Sequence, residues 1–169
     1  MSRNLTPEQA FDQYHQAVFG FAYRLTGRAD LAEDITQECF LEFVRAPRKF
    51  DQARGTVKTY LFAIARNLAL KQYRDYRAEE ALPEDLPGAM DARDGLDVAA
   101  AVASAVAGLP VLQREALVLF QYEGATLEEI AQIAGADVGT VKSRLHRARE
   151  RLRRVLAAYR KVGNAHGAL

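Results

Sequence analysis

Apolar residues recur at alternating steps of three and four along most of the chain, a spacing that predicts amphipathic helices and an all-α fold. The first helix is expected over residues 7–25. Thr6 and Pro7 suit its N-cap and first position, and Gly27 suits its C-terminal stop. Its inward face is predicted to comprise Ala10, Phe11, Tyr14, Val18, Phe21, Ala22 and Leu25.

A second helix is predicted from about Asp30 to a stop at Pro47, and its two faces differ in character. The buried stripe is expected to comprise Leu31, Ile35, Phe40 or Cys39, and Phe43 or Val44. The opposite face carries Asp30, Glu33, Asp34, Gln37, Glu38 and Glu42. Such an acidic face is either simply hydrated or a docking surface for a basic partner, since complementary charge speeds and orients association.

The third predicted helix, over about 57–77, follows a loop at 48–57 and interleaves basic and aromatic residues. Its inward face is expected to comprise Tyr60 or Leu61, Ile64 or Ala65, Leu68, and Gln72 or Tyr73. Its other positions include Lys58, Arg66, Lys71, Arg74, Arg77 and Tyr76. This composition suits single-stranded nucleic acid, because cations neutralise phosphates and rings stack on unpaired bases. It is equally typical of an amphipathic core helix with interfacial tyrosines.

A helix-turn-helix pattern occupies the C-terminal part of the chain. Leu109 and Pro110 open a helix that is expected to run to about Tyr122, with Gly124 as its C-cap. Thr126 and Glu129 form a capping box for a short helix. Gly135 then makes the turn, where a positive φ is expected, and a long helix starts near Val138. Small and apolar residues at Ala131, Ile130, Val138 and Val141 are expected to lock the two helices together.

The last helix separates into an apolar stripe and a basic face. The stripe is predicted to comprise Val138, Val141, Leu145, Ala148, Leu152, Val155 and Tyr159. The outer face is predicted to comprise Thr140, Ser143, Arg144, Arg147, Arg151 and Arg154, flanked by Lys142, His146 and Arg149. Following the turn motif, such a face is typical of a helix that enters the major groove, where Arg pairs with guanine and later arginines contact phosphates. A plain hydrated basic face is the alternative.

The net charge of +1 conceals a strong partition along the chain. Residues 1–78 carry +3 and residues 98–169 carry +4, whereas residues 79–97 carry −6. Residues 138–161 alone carry +8, which indicates contact with nucleic acid. The acidic stretch is rich in proline and glycine and has little apolar periodicity, so it is predicted to be a flexible linker between two small helical domains. A long surface loop within one domain is the alternative.

Composition excludes several other classes of protein. The 169 residues include one cysteine, Cys39, so neither an internal disulfide nor a Cys-rich zinc site is expected. The three histidines are far apart and no phosphate-cradling glycine loop occurs, so neither an enzyme nor a metal or cofactor site is predicted. No apolar run is long enough for membrane insertion, and the first residues lack the apolar core of a secretory signal. A cytoplasmic location is therefore expected.

Three stretches together resemble the extracytoplasmic-function (ECF) sigma factors, the compact two-domain group of the sigma-70 family of bacterial RNA polymerase. DLAEDITQECFLEF at 30–43 is similar to the helix of sigma domain two that binds polymerase. KTYLFAIARNLALKQYR at 58–74 is similar to the helix that melts and reads the minus-ten element. Residues 109–153 are similar to sigma domain four, which reads the minus-thirty-five element.

The resemblance implies a division of the chain and a role for each part. Domain two would occupy residues 5–78, the linker 79–97, domain four 98–162 and a tail 163–169. The implied polymerase contacts are Asp30, Glu33, Asp34, Gln37 and Glu38. The implied minus-ten contacts are Phe50, Arg54, Lys58, Tyr60, Arg66, Asn67, Lys71 and Arg74. The implied minus-thirty-five contacts are Thr140, Lys142, Ser143, Arg144, His146, Arg147 and Arg149.

The implied partners are core RNA polymerase, through its β and β′ subunits, promoter DNA and an anti-sigma factor. The loop at 50–56 would hold an unstacked base, and the acidic linker would thread near the polymerase active-site channel. The family often has Trp where this chain has Tyr60, which weakens that stacking position without removing it. The alternative function is a helix-turn-helix regulator with an N-terminal interaction domain, which would bind DNA without polymerase.

Overall fold

Seven helices make up the described part of the chain, for which the computed structural model covers residues 5–75, Glu84 and residues 98–166. They are α1 (Pro7–Thr26), α2 (Ala29–Arg45), α3 (Val57–Asp75), α4 (Val98–Ala107), α5 (Val111–Gln121), α6 (Leu127–Ala134) and α7 (Val138–His166), with a 3-10 turn at Pro47–Lys49. The described residues contain no strand, which confirms the all-α class. None of these helices is both long and apolar enough to cross a membrane. Apart from Glu84, the predicted linker lies outside the described residues.

The ends of α1 lie where the sequence places them. The Thr6 hydroxyl accepts a hydrogen bond from the Gln9 N–H at 3.3 Å, and the Thr6 N–H donates to the Gln9 side chain at 3.0 Å. This reciprocal capping box satisfies two N–H groups that the first turn leaves without helical partners. At the other end Gly27 has a φ of 71°, a left-handed conformation that Gly adopts without a steric penalty.

The N-terminal unit, α1 to α3, packs around one aromatic and aliphatic core. The rings of Phe21 and Phe62 meet edge to face with 5.2 Å between centroids. Cys39 is buried, its thiol donates to the Leu61 carbonyl at 3.2 Å, and burial raises the pKa of Cys39 to about 12. The thiol is therefore enclosed in the core, where burial disfavours its thiolate form. Of the paired alternatives on α2 and α3, Phe43 is buried and Val44 is exposed, and Leu61 is buried and Tyr60 is half-buried. In the other two pairs both members are buried, namely Cys39 with Phe40 and Ile64 with Ala65.

One residue of the predicted α1 inward face is placed differently. Phe11 is exposed, and its ring stacks on His15 with a centroid distance of 4.6 Å. It also meets the edge of Phe40 at 5.0 Å. Residues 10 and 14 lie nearer the centre of the buried face of α1. Phe11 lies at the edge of that face, although it fits the i, i+3 and i+4 spacing.

The C-terminal unit, α4 to α7, contains the predicted helix-turn-helix in α6 and α7. Thr126 and Glu129 form the expected capping box, with bonds of 3.1 and 2.8 Å. Gly135 has a φ of 61° in the turn, which confirms the prediction of a left-handed residue there. The helix α5 ends at Gln121, close to the predicted end at about Tyr122, but the predicted C-cap was wrong: Tyr122 is the C-cap, and Gly124, with a φ of 65°, lies two residues later. The sequence reasoning also missed α4 as a separate helix.

The long α7 departs from its pattern in two places. Val141, Leu145 and Ala148 are buried as predicted, but Val155 is exposed. Residue Tyr159 of the predicted stripe lies beyond the described side chains. The helix also continues to His166, into the region predicted to be a separate tail.

The two units pack directly against each other, with α1 and α3 facing α5 and α6, a contact that we call the junction. The Arg114 guanidinium crosses it to donate to the Leu25 carbonyl at 2.8 Å, and the Tyr73 hydroxyl donates to the same carbonyl at 3.0 Å. Arg24 lies over the ring of Tyr122, 4.4 Å from its centroid. The buried apolar residues of both units consequently form one continuous cluster.

Candidate nucleic-acid interface

The helix-turn-helix presents the start of α7 as an exposed basic surface. Ile130 and Val141 are fully buried between α6 and α7 and fix the angle at which α7 leaves the turn. The Asp137 carboxylate accepts from the Thr140 N–H at 2.7 Å, and this bond lowers the pKa of Asp137. A carboxylate at this point caps the N-terminus of α7, and its negative charge interacts favourably with the helix dipole.

Most of the predicted minus-thirty-five residues lie on the outer face of α7. Those exposed to solvent are Lys142, Ser143, His146, Arg147 and Arg149, and Thr140 is half-buried at the helix start. The Arg149 guanidinium lies 5.2 Å from the ring centroid of Phe120, which orients it against α5. The arrangement offers several cations and hydroxyls to a groove or a phosphate backbone.

The prediction for Arg144 was wrong about its exposure. Its side chain is only 10% exposed and turns away from the outer face. It donates from Nε and Nη2 to both carboxylate oxygens of Glu84, at 3.1 and 2.9 Å, and this bidentate pairing lowers the pKa of Glu84. The helical period places Arg144 near the boundary of the two faces, where its guanidinium pairs with the Glu84 carboxylate.

Two predicted minus-ten residues of α3 lie at the junction. Arg66 donates from Nε to Glu115 of α5 at 2.7 Å, with side chains 12% and 1% exposed respectively. Burial raises the pKa of Glu115, and the positive charge of Arg66 opposes that shift. Lys58 donates from Nζ to the Glu123 carbonyl at 3.1 Å. The C-terminal unit thus covers part of the basic face of α3.

The remaining predicted minus-ten residues divide into an aromatic cluster and a polar surface. Phe50 and Tyr60 are half-buried, with 5.4 Å between ring centroids, and both rings pack near Phe43. Burial raises the pKa of Tyr60. The exposed members of the set are Arg54, Asn67, Lys71 and Arg74. The structure therefore does not bring all eight predicted residues to one open surface.

The predicted polymerase-docking residues share one face of α2. Asp30, Glu33, Asp34 and Gln37 are exposed and Glu38 is half-buried. Asp30 pairs with Arg28 at 2.5 Å, which lowers the pKa of Asp30. The sequence reasoning missed Leu41 and left Val44 undecided. Both are exposed, at 45% and 53%, and they extend the acidic face with apolar surface.

Three further residues that the sequence did not single out lie at the junction. Gln113, Arg114 and Glu115 are consecutive, and all three are buried. Polar and charged residues of these types are mostly exposed in folded proteins. A sequence signal existed, since three consecutive polar residues in α5 must occupy more than one face of the helix. Which neighbour covers them could not be read from α5 alone.

Comparison with known proteins matches both helical units of the chain. The family models Sigma-70 region 2 and Sigma-70, region 4 match residues 10–79 and 99–152. The chain is 38% identical over 160 residues to the ECF RNA polymerase sigma factor SigE of Mycolicibacterium smegmatis, covering 87% of this chain and 60% of that protein. It is 30% identical over 161 residues to the ECF RNA polymerase sigma factor SigW of Bacillus subtilis, covering 86% of each.

A solved structure shows the same fold. The chain superposes with a TM-score of 0.70 and 29% identity on the sigma factor RpoE, crystallised with the anti-sigma factor NepR from Bartonella quintana. The match covers 89% of this chain and 96% of that one. A helix-turn-helix that presents a basic helix face is typical of DNA-binding proteins. The chain belongs to the ECF sigma factors of the sigma-70 family.

Proposed function

We propose that the chain binds core RNA polymerase and directs promoter-specific transcription initiation. The observation that carries this proposal is the order of three surfaces on one chain, each within a stretch that matches sigma-70 region 2 or 4. They are the acidic and apolar face of α2, the basic and aromatic α3, and the helix-turn-helix of α6 and α7. The proposed domains are residues 5–78 and 98–162, with a linker at 79–97 and a tail at 163–169.

Polymerase docking is assigned to the α2 face. Four of its five predicted residues are exposed, and Leu41 and Val44 add apolar area beside them. Apolar burial supplies binding free energy, while the carboxylates orient the encounter with a basic partner. This combination favours a protein-binding surface over a merely hydrated one, and the β′ subunit is the proposed main contact.

The minus-ten and minus-thirty-five elements are assigned to α3 and α7. Exposed Lys71, Arg74 and Asn67 can follow the backbone of a separated strand, and the half-buried rings of Phe50 and Tyr60 keep part of their surface in contact with solvent, where a base can stack. The exposed face of α7 reads duplex DNA, since Arg and Ser at the start of such a helix reach base edges.

A protein that sequesters the chain is the third proposed partner. The sigma factor RpoE, which this chain resembles, was crystallised with an anti-sigma factor. Apolar and charged surfaces that serve polymerase are also available to such an antagonist when polymerase is absent. The proposed location is the cytoplasm, where polymerase and chromosomal DNA are both accessible.

Reconstituted transcription tests the proposal. Transcript starts are first mapped after overexpression, and the recovered promoter is then transcribed in vitro by core polymerase with and without the purified chain. We expect initiation that depends on the chain. Promoter binding by the chain without any chain-dependent initiation would instead identify a helix-turn-helix regulator.

A charge reversal sharpens the assignment of α2. Asp34→Lys is expected to weaken core association at least ~10-fold while duplex binding by the isolated chain stays unchanged, because like charges at an interface cost several kcal/mol. Asp12→Lys makes the same charge change on the exposed face of α1 and serves as the matched control. Equal losses in the two variants would contradict the docking surface.

A further inference from the structure

Three aromatic rings pack against one another where the loop before α3 meets α2. Phe43 belongs to α2, Phe50 follows the 3-10 turn at Pro47–Lys49, and Tyr60 lies in the first turn of α3. The ring centroids are 6.4 Å apart for Phe43 and Phe50, 6.1 Å for Phe43 and Tyr60, and 5.4 Å for Phe50 and Tyr60. All three distances lie in the range of about 4.5–7 Å over which aromatic pairs attract each other. The rings form a closed group that we call the aromatic triad.

The members of the aromatic triad differ in their access to solvent. Phe43 is 5% exposed and belongs to the core, whereas Phe50 and Tyr60 are half-buried and pack against the core from its edge. A base can therefore stack on Phe50 or Tyr60 but has no room to stack on Phe43. Any effect of Phe43 on base binding has to act through the other two rings.

The backbone around Phe50 gives its ring limited support. The Phe50 N–H donates to the Pro47 carbonyl at 3.3 Å, which is long for a backbone hydrogen bond, and the next four residues, 51–54, are all exposed. Tyr60 is held better, because its N–H donates to the Thr56 carbonyl at 3.1 Å as α3 begins. The orientation of the Phe50 ring consequently depends on its contacts with Phe43 and Tyr60.

Phe43 meets both outer rings at a steep angle. Its plane is inclined by 72° to that of Phe50 and by 57° to that of Tyr60. Inclined contacts bring the positive edge of one ring to the negative face of another, so they favour a particular tilt as well as a distance. An aliphatic side chain at position 43 would fill the space without favouring any tilt of the neighbouring rings.

We propose that Phe43 is a positioning residue for the minus-ten element: it holds the rings of Phe50 and Tyr60 in the orientation on which an unpaired base stacks. This inference rests on the proposed function, which assigns base stacking to those two rings. A ring that is already fixed loses little side-chain entropy when a base arrives, so such preorganisation raises affinity without any contact between Phe43 and DNA. The helix α2 thereby supports base stacking from its inner side, while its acidic and apolar face is assigned to polymerase.

Apolar substitutions separate the effect of the ring from that of side-chain burial. Phe43→Leu and Phe43→Met keep an apolar side chain in the core, and Phe43→Tyr restores the ring. Phe40→Leu is the matched control, because Phe40 belongs to the same helix, is 6% exposed, and meets the edge of the Phe11 ring at 5.0 Å. Urea unfolding of each variant measures the general loss of stability.

Binding of a single strand by core polymerase saturated with the chain measures the effect on stacking. The probe is a labelled non-template strand of the mapped minus-ten element, either intact or with one abasic position at a time. In the wild-type complex, removal of the stacked base should weaken binding about 5- to 150-fold, the range for base stacking on aromatic side chains. We expect Phe43→Leu and Phe43→Met to reduce this abasic penalty at least ~2-fold, the lower end of what one aromatic pair contributes. Phe43→Tyr and Phe40→Leu should keep the wild-type penalty.

The abasic penalty responds to positioning and not to a general loss of stability. A less stable chain binds the intact and the abasic strands with equally reduced affinity, so the ratio of the two affinities stays constant. An unchanged penalty in the Phe43→Leu and Phe43→Met variants would therefore overturn the inference, and so would an equal reduction in Phe40→Leu. Where Phe43→Leu does not fold, Phe43→Met decides, since its flexible side chain fills irregular space in a core.

The outcomes also separate this inference from the proposed function. Failure of the wild-type chain to support initiation by core polymerase rejects the sigma role. A wild-type complex without an abasic penalty at any position rejects base stacking on Phe50 and Tyr60, and positioning by Phe43 with it. Normal initiation with a wild-type penalty that the Phe43→Leu and Phe43→Met variants retain rejects positioning by Phe43 alone.

Discussion

The two helices assigned to DNA, α3 and α7, carry similar patterns of basic and apolar residues but are buried to very different extents. α7 packs on its own unit along one side, so Lys142, Ser143, His146 and Arg147 face solvent. α3 packs on α1 and α2 and also faces α6, and two of its cations have partners across the junction. A basic helix face is therefore open or closed according to how many neighbours its helix has, which its own residues do not specify.

The ion pairs on these two helices sharpen the contrast. The Arg66 and Glu115 side chains are both nearly inaccessible, whereas Glu84, opposite Arg144, is 45% exposed. Removing one member of a buried pair leaves an uncompensated charge without water, and that is far more costly than breaking a pair at the surface. The following predictions test this difference, beginning with the largest effect.

Truncation of the two acids should have unequal effects on stability. Glu115→Ala is expected to lower the free energy of unfolding by about 3–5 kcal/mol, since it strands the Arg66 guanidinium in the junction. Glu84→Ala is expected to lower it by less than about 1 kcal/mol, because water replaces the lost partner. Urea unfolding followed by circular dichroism measures both. Equal losses would show that the two pairs do not differ in solvent access.

Truncation of the two α7 arginines should have unequal effects on DNA binding by the free chain. Arg147→Ala is expected to lose about 1–3 kcal/mol of binding free energy, the contribution of one good bidentate contact to a base. Arg144→Ala is expected to lose less, since Glu84 already occupies that guanidinium. Fluorescence anisotropy with a labelled promoter duplex measures both.

Repeating the Arg144→Ala measurement in a Glu84→Gln chain provides the control for the comparison of Arg144 with Arg147. In a Glu84→Gln chain, Arg144 is released, so Arg144→Ala should then cost nearly as much as Arg147→Ala. An Arg144→Ala loss in the wild-type chain that equals the Arg147→Ala loss would contradict the occupation of Arg144 by Glu84.

The sequence predicted most of the features that depend on near neighbours, with α4 as the exception. The capping boxes at Thr6 and Thr126 and the left-handed Gly135 follow from residues within a few positions, and all three are confirmed. α4 was missed because VAAAVASAVA contains only Val, Ala and Ser, so no polar face marks a helical period.

In the candidate site, too, the sequence predicted features that depend on neighbouring residues and missed contacts between distant ones. The exposed residues of α2 and α7 follow from helical periodicity. The inward turn of Arg144 depends on Glu84, 60 positions away, and the burial of Arg66 depends on Glu115, 49 positions away. Such pairings arise from the packing of the units, and no local pattern encodes them. The functional roles of the individual residues remain predictions.

The smallest expected effect is that Glu115 and Glu84 make the free energy of unfolding depend on pH in opposite directions. The folded-state pKa of Glu115 lies above its ordinary value of 4.5, so between these values the folded chain holds a proton that the unfolded chain has lost. Its contribution to the unfolding free energy therefore falls as the pH rises above 4.5. The folded-state pKa of Glu84 lies below 4.5, so its contribution is present above 4.5 and is lost as the pH falls through that lower pKa.

Neutral variants isolate these opposite slopes from every other titrating group. The unfolding free energy of the wild-type chain minus that of Glu115→Gln should decrease with rising pH above 4.5, by at most ~1.4 kcal/mol per pH unit for one proton. The same difference for Glu84→Gln should instead increase as the pH rises toward 4.5 and then level off. Because Arg66 and Arg144 stay charged throughout, only the carboxylates titrate in this range. Slopes of the same sign would mean that burial does not dominate at Glu115, and the contrast between the enclosed pair on α3 and the accessible pair on α7 would then be lost.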